Sequence, residues 1–97
     1  MIGYRLLPPA EEEMTEAALF YEQARPGLGD VFLDDIQRAI DIVRERPNLG
    51  EGVDDGFRRT LAHRFPFTVI YAVESNEIVV VALAHQSRSP GYWKGRM

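Results

Sequence analysis

The feature that most constrains this chain is a single change of hydrophobic period at the glycine-rich stretch PNLGEGVDDG (47–56). Before that stretch, apolar residues recur every three or four positions, as on one face of a helix. After it they alternate or run continuously, as they do in strands. Helices followed by strands predict an α+β fold, in which the helices pack on one face of a sheet.

Two amphipathic helices are predicted in the first half. The first begins at Pro8 and Pro9, because proline suits the first helical turn. Its apolar stripe consists of Met14, Ala17, Ala18 and Tyr21. The second is predicted to start with Asp30 as its N-cap and to end before Pro47. Its stripe consists of Leu33, Ile36, Ile40 and Val43, widened by Phe32 and Ala39. The short break ARPGLG (24–29) makes the pair an antiparallel hairpin.

Four strands are predicted around the hairpin. One precedes it at YRLL (4–7), and three follow at FRRTLAH (57–63), TVIYAV (68–73) and IVVVALAH (78–85). The last run is apolar at nearly every position, which favours an interior strand with both faces covered. The order β-α-α-β-β-β therefore predicts a helical hairpin packed on a small, largely antiparallel sheet.

Length and composition limit the classes of protein that this chain could represent. Ninety-seven residues predict one domain over residues 1–97, with a mobile polar tail at 94–97. The absence of cysteine excludes a disulfide framework and a thiol nucleophile, and it fits a cytoplasmic location. No apolar run approaches the roughly 20 residues of a membrane span. His63 and His85 have no acidic residue near them in the sequence, so neither a metal site nor a cofactor is expected.

Charge is distributed unevenly along the chain. Residues 1–57 carry 13 Asp or Glu against 5 Arg, whereas residues 58–97 carry 6 Arg or Lys against 2 Glu. This asymmetry suggests that the C-terminal half faces an anionic partner. The alternative is that the acidic side chains simply form solvated helical faces, with Glu11, Glu12 and Glu13 complementing the helix dipole. Both interpretations remain open from the sequence.

Three stretches, in their order and spacing, resemble the RelE/ParE superfamily of bacterial toxins. They are EAALFYEQARPGLGDVFL (16–33), RERPNLGEGVDDGFRRTLAHRFPFTVIY (44–71) and IVVVALAHQSRSPGYW (78–93). The ending is similar to the His-x-x-Arg-x-Pro-x-Tyr-Trp motif of ParE-like members. These toxins belong to type II toxin–antitoxin modules and are often called plasmid stabilisation proteins. The resemblance implies the same βααβββ fold that the periodicity predicts.

Members of this superfamily have two kinds of target. RelE-like toxins cleave messenger RNA in the ribosomal A site, and ParE-like toxins poison DNA gyrase. Thr68 stands where the third strand of RelE-like enzymes carries a catalytic arginine, so the resemblance favours the ParE-like branch. It implies a growth inhibitor that acts on DNA gyrase, is neutralised by a cognate antitoxin and forms a heterotetramer or larger assembly. The alternatives are a ribosome-dependent mRNA endonuclease and a non-toxic homologue that retains antitoxin binding.

The resemblance also implies candidate site residues. For the nuclease alternative, the catalytic candidates are Arg58, His85, Arg88 and Tyr92. For the ParE-like interpretation, the target-binding candidates are Arg58, Arg64, Arg88, Tyr92 and Trp93. Several have a structural alternative, since Trp93 suits a cap on the core and His85 a strand-end residue. An apolar groove between helices and sheet is the expected dock for an antitoxin segment that orders on binding.

Overall fold

The computed structural model describes all 97 residues and confirms the α+β architecture. The elements are β1 (Gly3–Leu6), α1 (Pro8–Ala24), α2 (Leu28–Glu45), β2 (Glu51–Gly52), β3 (Arg58–Leu61), β4 (Phe67–Glu74) and β5 (Glu77–His85). The strands form one sheet in the order β1-β5-β4-β3-β2, with β1 and β5 parallel and every other pair antiparallel. Neither helix combines the length and hydropathy that a membrane span requires.

The turn between the two helices differs from the one that the sequence predicts. Helix α2 begins two residues before Asp30, so the prediction of Asp30 as N-cap was wrong. Gly27 holds the cap position, with a φ of 90°, and the carboxylate of Glu22 accepts the N–H groups of Gly27 (2.9 Å) and Gly29 (3.0 Å). A Cβ on Gly29 would lie 2.7 Å from the carbonyl oxygen of Ala18. Glycine therefore lets the two helices approach closely at this point.

The main core lies between the hairpin and the sheet. Helix α2 contributes the buried residues Phe32, Ile36, Ala39, Ile40 and Val43. Leu33, predicted in the apolar stripe, lies instead at the rim with 36% of its surface exposed, because Phe32 takes the inward position. The Phe32 ring packs edge-on against Phe65 and Phe67, with centroids 5.4 and 5.1 Å away. An aromatic cluster thus fills the end of the core near the bend between β3 and β4.

The sheet confirms the prediction that the last apolar run is interior. Residues 78–83 of β5 are all buried, and β5 lies between β1 and β4. The register places Ile70 opposite Ala82 and Tyr71 opposite Val80, so Val81 faces no residue of β4 and forms a β-bulge. Bulges bend a strand and re-aim the side chains beyond it. This one lies just before the segment that carries the candidate site.

The short strand β2 was not predicted, because its sequence is polar and rich in glycine. The segment that leads into it is held in place by Tyr71 of β4. The hydroxyl of Tyr71 donates to the carbonyl of Pro47 (2.8 Å) and accepts the N–H of Gly50 (3.0 Å). Burial raises the pKa of Tyr71, although the bond from Gly50 opposes this shift. The tyrosine on β4 thereby fixes the loop that begins where α2 ends.

The second face of the sheet is covered by the C-terminus. Trp93 is only 6% exposed and packs with Ile70, Val81 and Ala82, and its ring meets Phe57 edge-on at 4.9 Å. The expectation that Trp93 caps the core is therefore confirmed. Mobility of residues 94–97 stays a prediction, and the hydrogen bonds of Arg96 count against it.

Candidate functional site

The predicted site residues do not converge on one point of the structure. Arg58 is paired with Tyr71, and His85 with Phe67. These partners are four residues apart on β4, which is about 13 Å at the usual rise of a strand. Arg58 and His85 also lie on opposite sides of β4, so their backbone positions are farther apart than that. The candidates therefore divide into one group at the start of β3 and another at the exit of β5.

Arg58 is engaged by the backbone of its own neighbourhood. Its guanidinium donates through Nη1 to the carbonyl oxygens of Gly50 (2.8 Å) and Asn48 (3.2 Å). The neighbouring Arg59 points to the other face of the sheet and pairs with Glu51. Both arginines therefore organise the loop around β2, and Arg58 is not presented to solvent as a free cation.

Arg64 lies on the bend between β3 and β4, which a buried carboxylate holds in shape. Asp35 of α2 is 5% exposed and accepts the backbone N–H groups of His63 (3.0 Å), Arg64 (2.8 Å) and Phe65 (3.1 Å). Burial works against ionisation, but these three bonds and the charge of Arg38 lower the pKa of Asp35 below its usual range. The sequence placed Asp35 on a solvated face, so its role as a support for the exposed Arg64 was missed.

His85 closes the β5 strand with a local hydrogen-bonded turn. Its Nδ1 accepts the backbone N–H of Ser87 (3.0 Å) and lies 2.7 Å from the Ser87 hydroxyl, while its ring meets Phe67 edge-on at 5.2 Å. Because Nδ1 accepts an N–H, the neutral ring carries its proton on Nε2. These contacts match the structural alternative of a strand-end histidine.

Arg88 is an exposed cation just after the exit of β5. Its guanidinium carbon lies 3.9 Å from the centre of the Tyr92 ring and forms no ion pair with a carboxylate. Stacking on an aromatic face orients the guanidinium and leaves its N–H groups available. Of the candidates at the exit of β5, Arg88 is thus the one best placed to meet an anionic group of a partner.

Tyr92 is tied to Glu13 of α1, a contact that the sequence analysis missed. The Tyr92 hydroxyl donates to Glu13 Oε2 at 2.6 Å, and Arg96 donates to both carboxylate oxygens at 2.9 and 3.1 Å. The N–H of Leu83 in β5 also donates to Oε1 at 3.0 Å. One carboxylate therefore joins α1, β5 and the C-terminus.

The ionisation of this cluster follows from its contacts. Burial alone would raise the pKa of Glu13, but the bonds from Arg96, Tyr92 and Leu83 lower it overall. Burial, together with the hydrogen bond to the Glu13 carboxylate, raises the pKa of Tyr92 far above its ordinary value. The phenol is a hydrogen-bond donor at neutral pH. Its proton is committed to Glu13, so it is poorly suited to act as an acid or base on a substrate.

An apolar groove runs between α1 and the exit of β5, as expected. It encloses about 370 Å³. Its apolar lining consists of Ala17, Phe20, Tyr21, Phe67, Leu83 and Tyr92. Phe20, at the rim, has 67% of its surface exposed. Arg88 and Glu16 provide charges of opposite sign along the walls. No group of three potential metal-ligating side chains occurs in the structure.

Comparison with known proteins assigns the family. A family model described as the ParE toxin of the type II toxin–antitoxin system parDE matches residues 4–90. Among solved structures, a chain of the chromosomal ParDE toxin–antitoxin system from P. aeruginosa superposes with a TM-score of 0.76 and 19% sequence identity. The match covers 88% of this chain and 96% of that chain, and at this identity it shows the shared fold. No curated protein sequence gives a significant match. The chain belongs to the ParE toxin family of type II toxin–antitoxin systems.

Proposed function

We propose that this protein inhibits growth by acting on DNA gyrase and that a cognate antitoxin neutralises it by binding the groove beside α1. The observation that carries the first part is the combination of the family match with the state of the nuclease candidates. Arg58 bonds to backbone carbonyls, the Tyr92 hydroxyl donates its hydrogen bond to Glu13, and Thr68 stands where the RelE-like pattern has an arginine. RNA cleavage would need free cations at positions 58 and 68 to stabilise charge on the phosphate and a free proton donor at position 92.

Arg88 and Arg64 are the proposed contacts to the target. Both are exposed, and each is held by a defined support: the Tyr92 ring under Arg88, and the Asp35-bound bend that carries Arg64. Trp93 is buried under the C-terminus, so its contribution to target binding is to hold the backbone that presents Arg88 and Tyr92. His85 plays a similar supporting part through Ser87.

The groove supports the proposed antitoxin site by its shape and composition. An amphipathic segment could insert apolar side chains between Phe20 and Leu83, where the lining is mostly apolar. The exposed Phe20 ring would be buried by such a segment, and burial of a large aromatic contributes strongly to binding. The type II system to which the family belongs supplies the antitoxin partner.

Inducible expression tests the target. The chain alone should arrest growth and activate a DNA-damage reporter, and co-expression with the neighbouring gene should restore growth. Arg88→Ala should abolish most of the toxicity at an unchanged melting temperature, while Arg25→Ala, on the exposed end of α1, should remain toxic. Arrest of translation with cleaved ribosome-bound messages would instead establish the nuclease alternative. A harmless but folded product would leave antitoxin binding as the retained function.

A matched pair of variants on α1 tests the groove. Phe20→Ser removes a ring that lines it, whereas Leu19→Ser removes a comparably exposed apolar side chain outside it. Phe20→Ser should remain toxic and weaken antitoxin binding at least tenfold by isothermal titration calorimetry, which corresponds to about 1.4 kcal/mol. Leu19→Ser should bind as the wild type does. Equal affinities for both variants would place the antitoxin elsewhere.

A further inference from the structure

Strand β5 has an edge that strand β1 leaves uncovered. β1 pairs with residues 77–80 of β5, and the last backbone bond between them is from Leu7 N–H to Val80 O at 2.9 Å. The chain then turns into α1 at Pro8 and Pro9, which have no N–H to continue the pairing. The next two outward-facing groups of β5 are the carbonyl of Val81 and the N–H of Leu83. Side chains satisfy both: Arg96 donates to Val81 O at 3.0 Å, and Glu13 accepts from Leu83 N–H at 3.0 Å.

The segment that provides Arg96 is attached only through its side chains. We call residues 92–96 the C-terminal strap. Its backbone N–H bonds run from Tyr92 to Ser89 O, from Lys94 to Gly91 O and from Arg96 to Trp93 O, all within residues 89–96. No backbone hydrogen bond connects the strap to the sheet or the helices. Displacement of the strap would therefore break no backbone hydrogen bond of the sheet.

Most of the strap's polar attachment converges on one residue. Glu13 receives the Tyr92 hydroxyl and both Nη groups of Arg96, and the Glu13 and Arg96 side chains are 18% and 19% exposed. The remaining ion pair, from Lys94 to Asp54 at 3.4 Å, lies in solvent. Trp93 provides the apolar attachment by lying on Ile70, Val81 and Ala82.

Two glycines bracket Trp93 at positions where the backbone changes direction. Gly91 has a φ of 73° and Gly95 a φ of 93°, in the left-handed region that glycine adopts without strain. A segment bounded by such residues can reorient as a unit, because its ends tolerate large changes in backbone angle. The strap thus has hinge positions on both sides of its apolar anchor.

We infer that residues 92–96 form a displaceable strap, held closed by Glu13, whose release bares the β5 carbonyl of Val81 and the apolar patch beneath Trp93. In the open state the carbonyl of Val81 loses its donor Arg96, whereas the N–H of Leu83 stays bonded to Glu13, which belongs to α1. Because Tyr92 also lines the groove beside α1, opening of the strap removes part of the groove wall. The inference concerns the strap itself and holds whichever target the protein acts on.

Trp93 makes the inference testable, since it is the only tryptophan in the chain. Glu13→Gln preserves the size of the side chain and an acceptor for Leu83 N–H but removes the charge that holds Arg96. Acrylamide quenching of Trp93 fluorescence should rise several-fold in this variant, and its emission should shift to longer wavelength, with unchanged far-UV circular dichroism. Glu77→Gln is the control, because Glu77 pairs with Arg5 at 2.8 Å on the exposed surface away from the strap. It should quench as the wild type does.

If Glu13→Gln fails to fold, Arg96→Gln provides a second test of the strap. This variant leaves Glu13 bonded to Tyr92 and Leu83 and removes only the contacts of Arg96 with Glu13 and Val81. Increased quenching with native circular dichroism supports a displaceable strap. Quenching at the wild-type level in folded variants would show that Trp93 packing alone fixes the segment. Exposure of Trp93 only together with global unfolding, in both variants, would show that the strap is an inseparable part of the fold. Either of the last two results overturns the inference.

Discussion

The two faces of the sheet are covered in different ways. The face toward the hairpin is closed by α1 and α2 over a cluster of 12 buried residues, and the helices satisfy their own backbone groups. The opposite face is closed over a cluster of 4 buried residues by a loop and the strap, which is fixed by side chains. Helices that carry their own hydrogen bonds make a permanent cover, whereas a segment held by a few side chains makes a removable one.

The largest expected effect comes from breaking the permanent cover. Phe32→Ala should destabilise the protein by about 4–5 kcal/mol, because a fully buried ring is removed from among other rings and α2 cannot collapse into the space. Trp93→Ala should cost clearly less than Phe32→Ala, since the strap can move away instead of enclosing a cavity. Urea denaturation followed by far-UV circular dichroism compares the two. An equal or greater loss for Trp93→Ala would erase the proposed difference between the faces.

A smaller loss of stability is expected from removing Asp35, the α2 carboxylate that binds the bend between β3 and β4. Asp35→Ala leaves three N–H groups of the 63–65 bend without their acceptor, and we expect a destabilisation of about 2–3 kcal/mol. Thermal melting measures the loss, and amide exchange at His63, Arg64 and Phe65 locates it. Arg38→Ala is the control, because Arg38 acts on Asp35 only through its charge. Unchanged exchange at the bend would contradict the assigned role of Asp35.

The carboxylates of Asp35 and Glu13 also show what the sequence can and cannot predict. Periodicity located both helices and the strands β3, β4 and β5, including the buried run at 78–83 in β5, because these elements depend on neighbouring residues. Asp35 and Glu13 looked like ordinary acidic positions on helix faces. Their partners lie far away in the chain: His63 is 28 residues from Asp35, and Arg96 is 83 residues from Glu13. Contacts at such separations follow from the sheet's register and the C-terminal turn, which no local pattern encodes.

Low pH should reduce the free energy of unfolding through the carboxylates of both covers, by less than the substitutions above do. The pKa values of Asp35 and Glu13 are lowered on folding, so the unfolded chain takes up their protons first as the pH falls. The stability they contribute is full above the ordinary carboxyl pKa of about 4 and is lost as the pH falls through the folded values. Denaturation at pH 7 and pH 3 measures this loss. Asp35→Asn and Glu13→Gln should each lose less stability between the two pH values than the wild type, and an unchanged loss in either variant would exclude that carboxylate as a source.

The smallest effect should come from the exposed ion pair of the strap. Lys94 and Asp54 are 3.4 Å apart with side chains 60% and 46% exposed, so water and salt screen their attraction. Lys94→Ala should change stability by no more than about 0.5 kcal/mol and leave Trp93 quenching as in the wild type. Arg96→Ala should cost more, because it leaves the mostly buried Glu13 carboxylate with fewer donors. If the two variants released Trp93 equally, the strap would be held by charge spread along its length, and Glu13 would no longer be its main polar anchor.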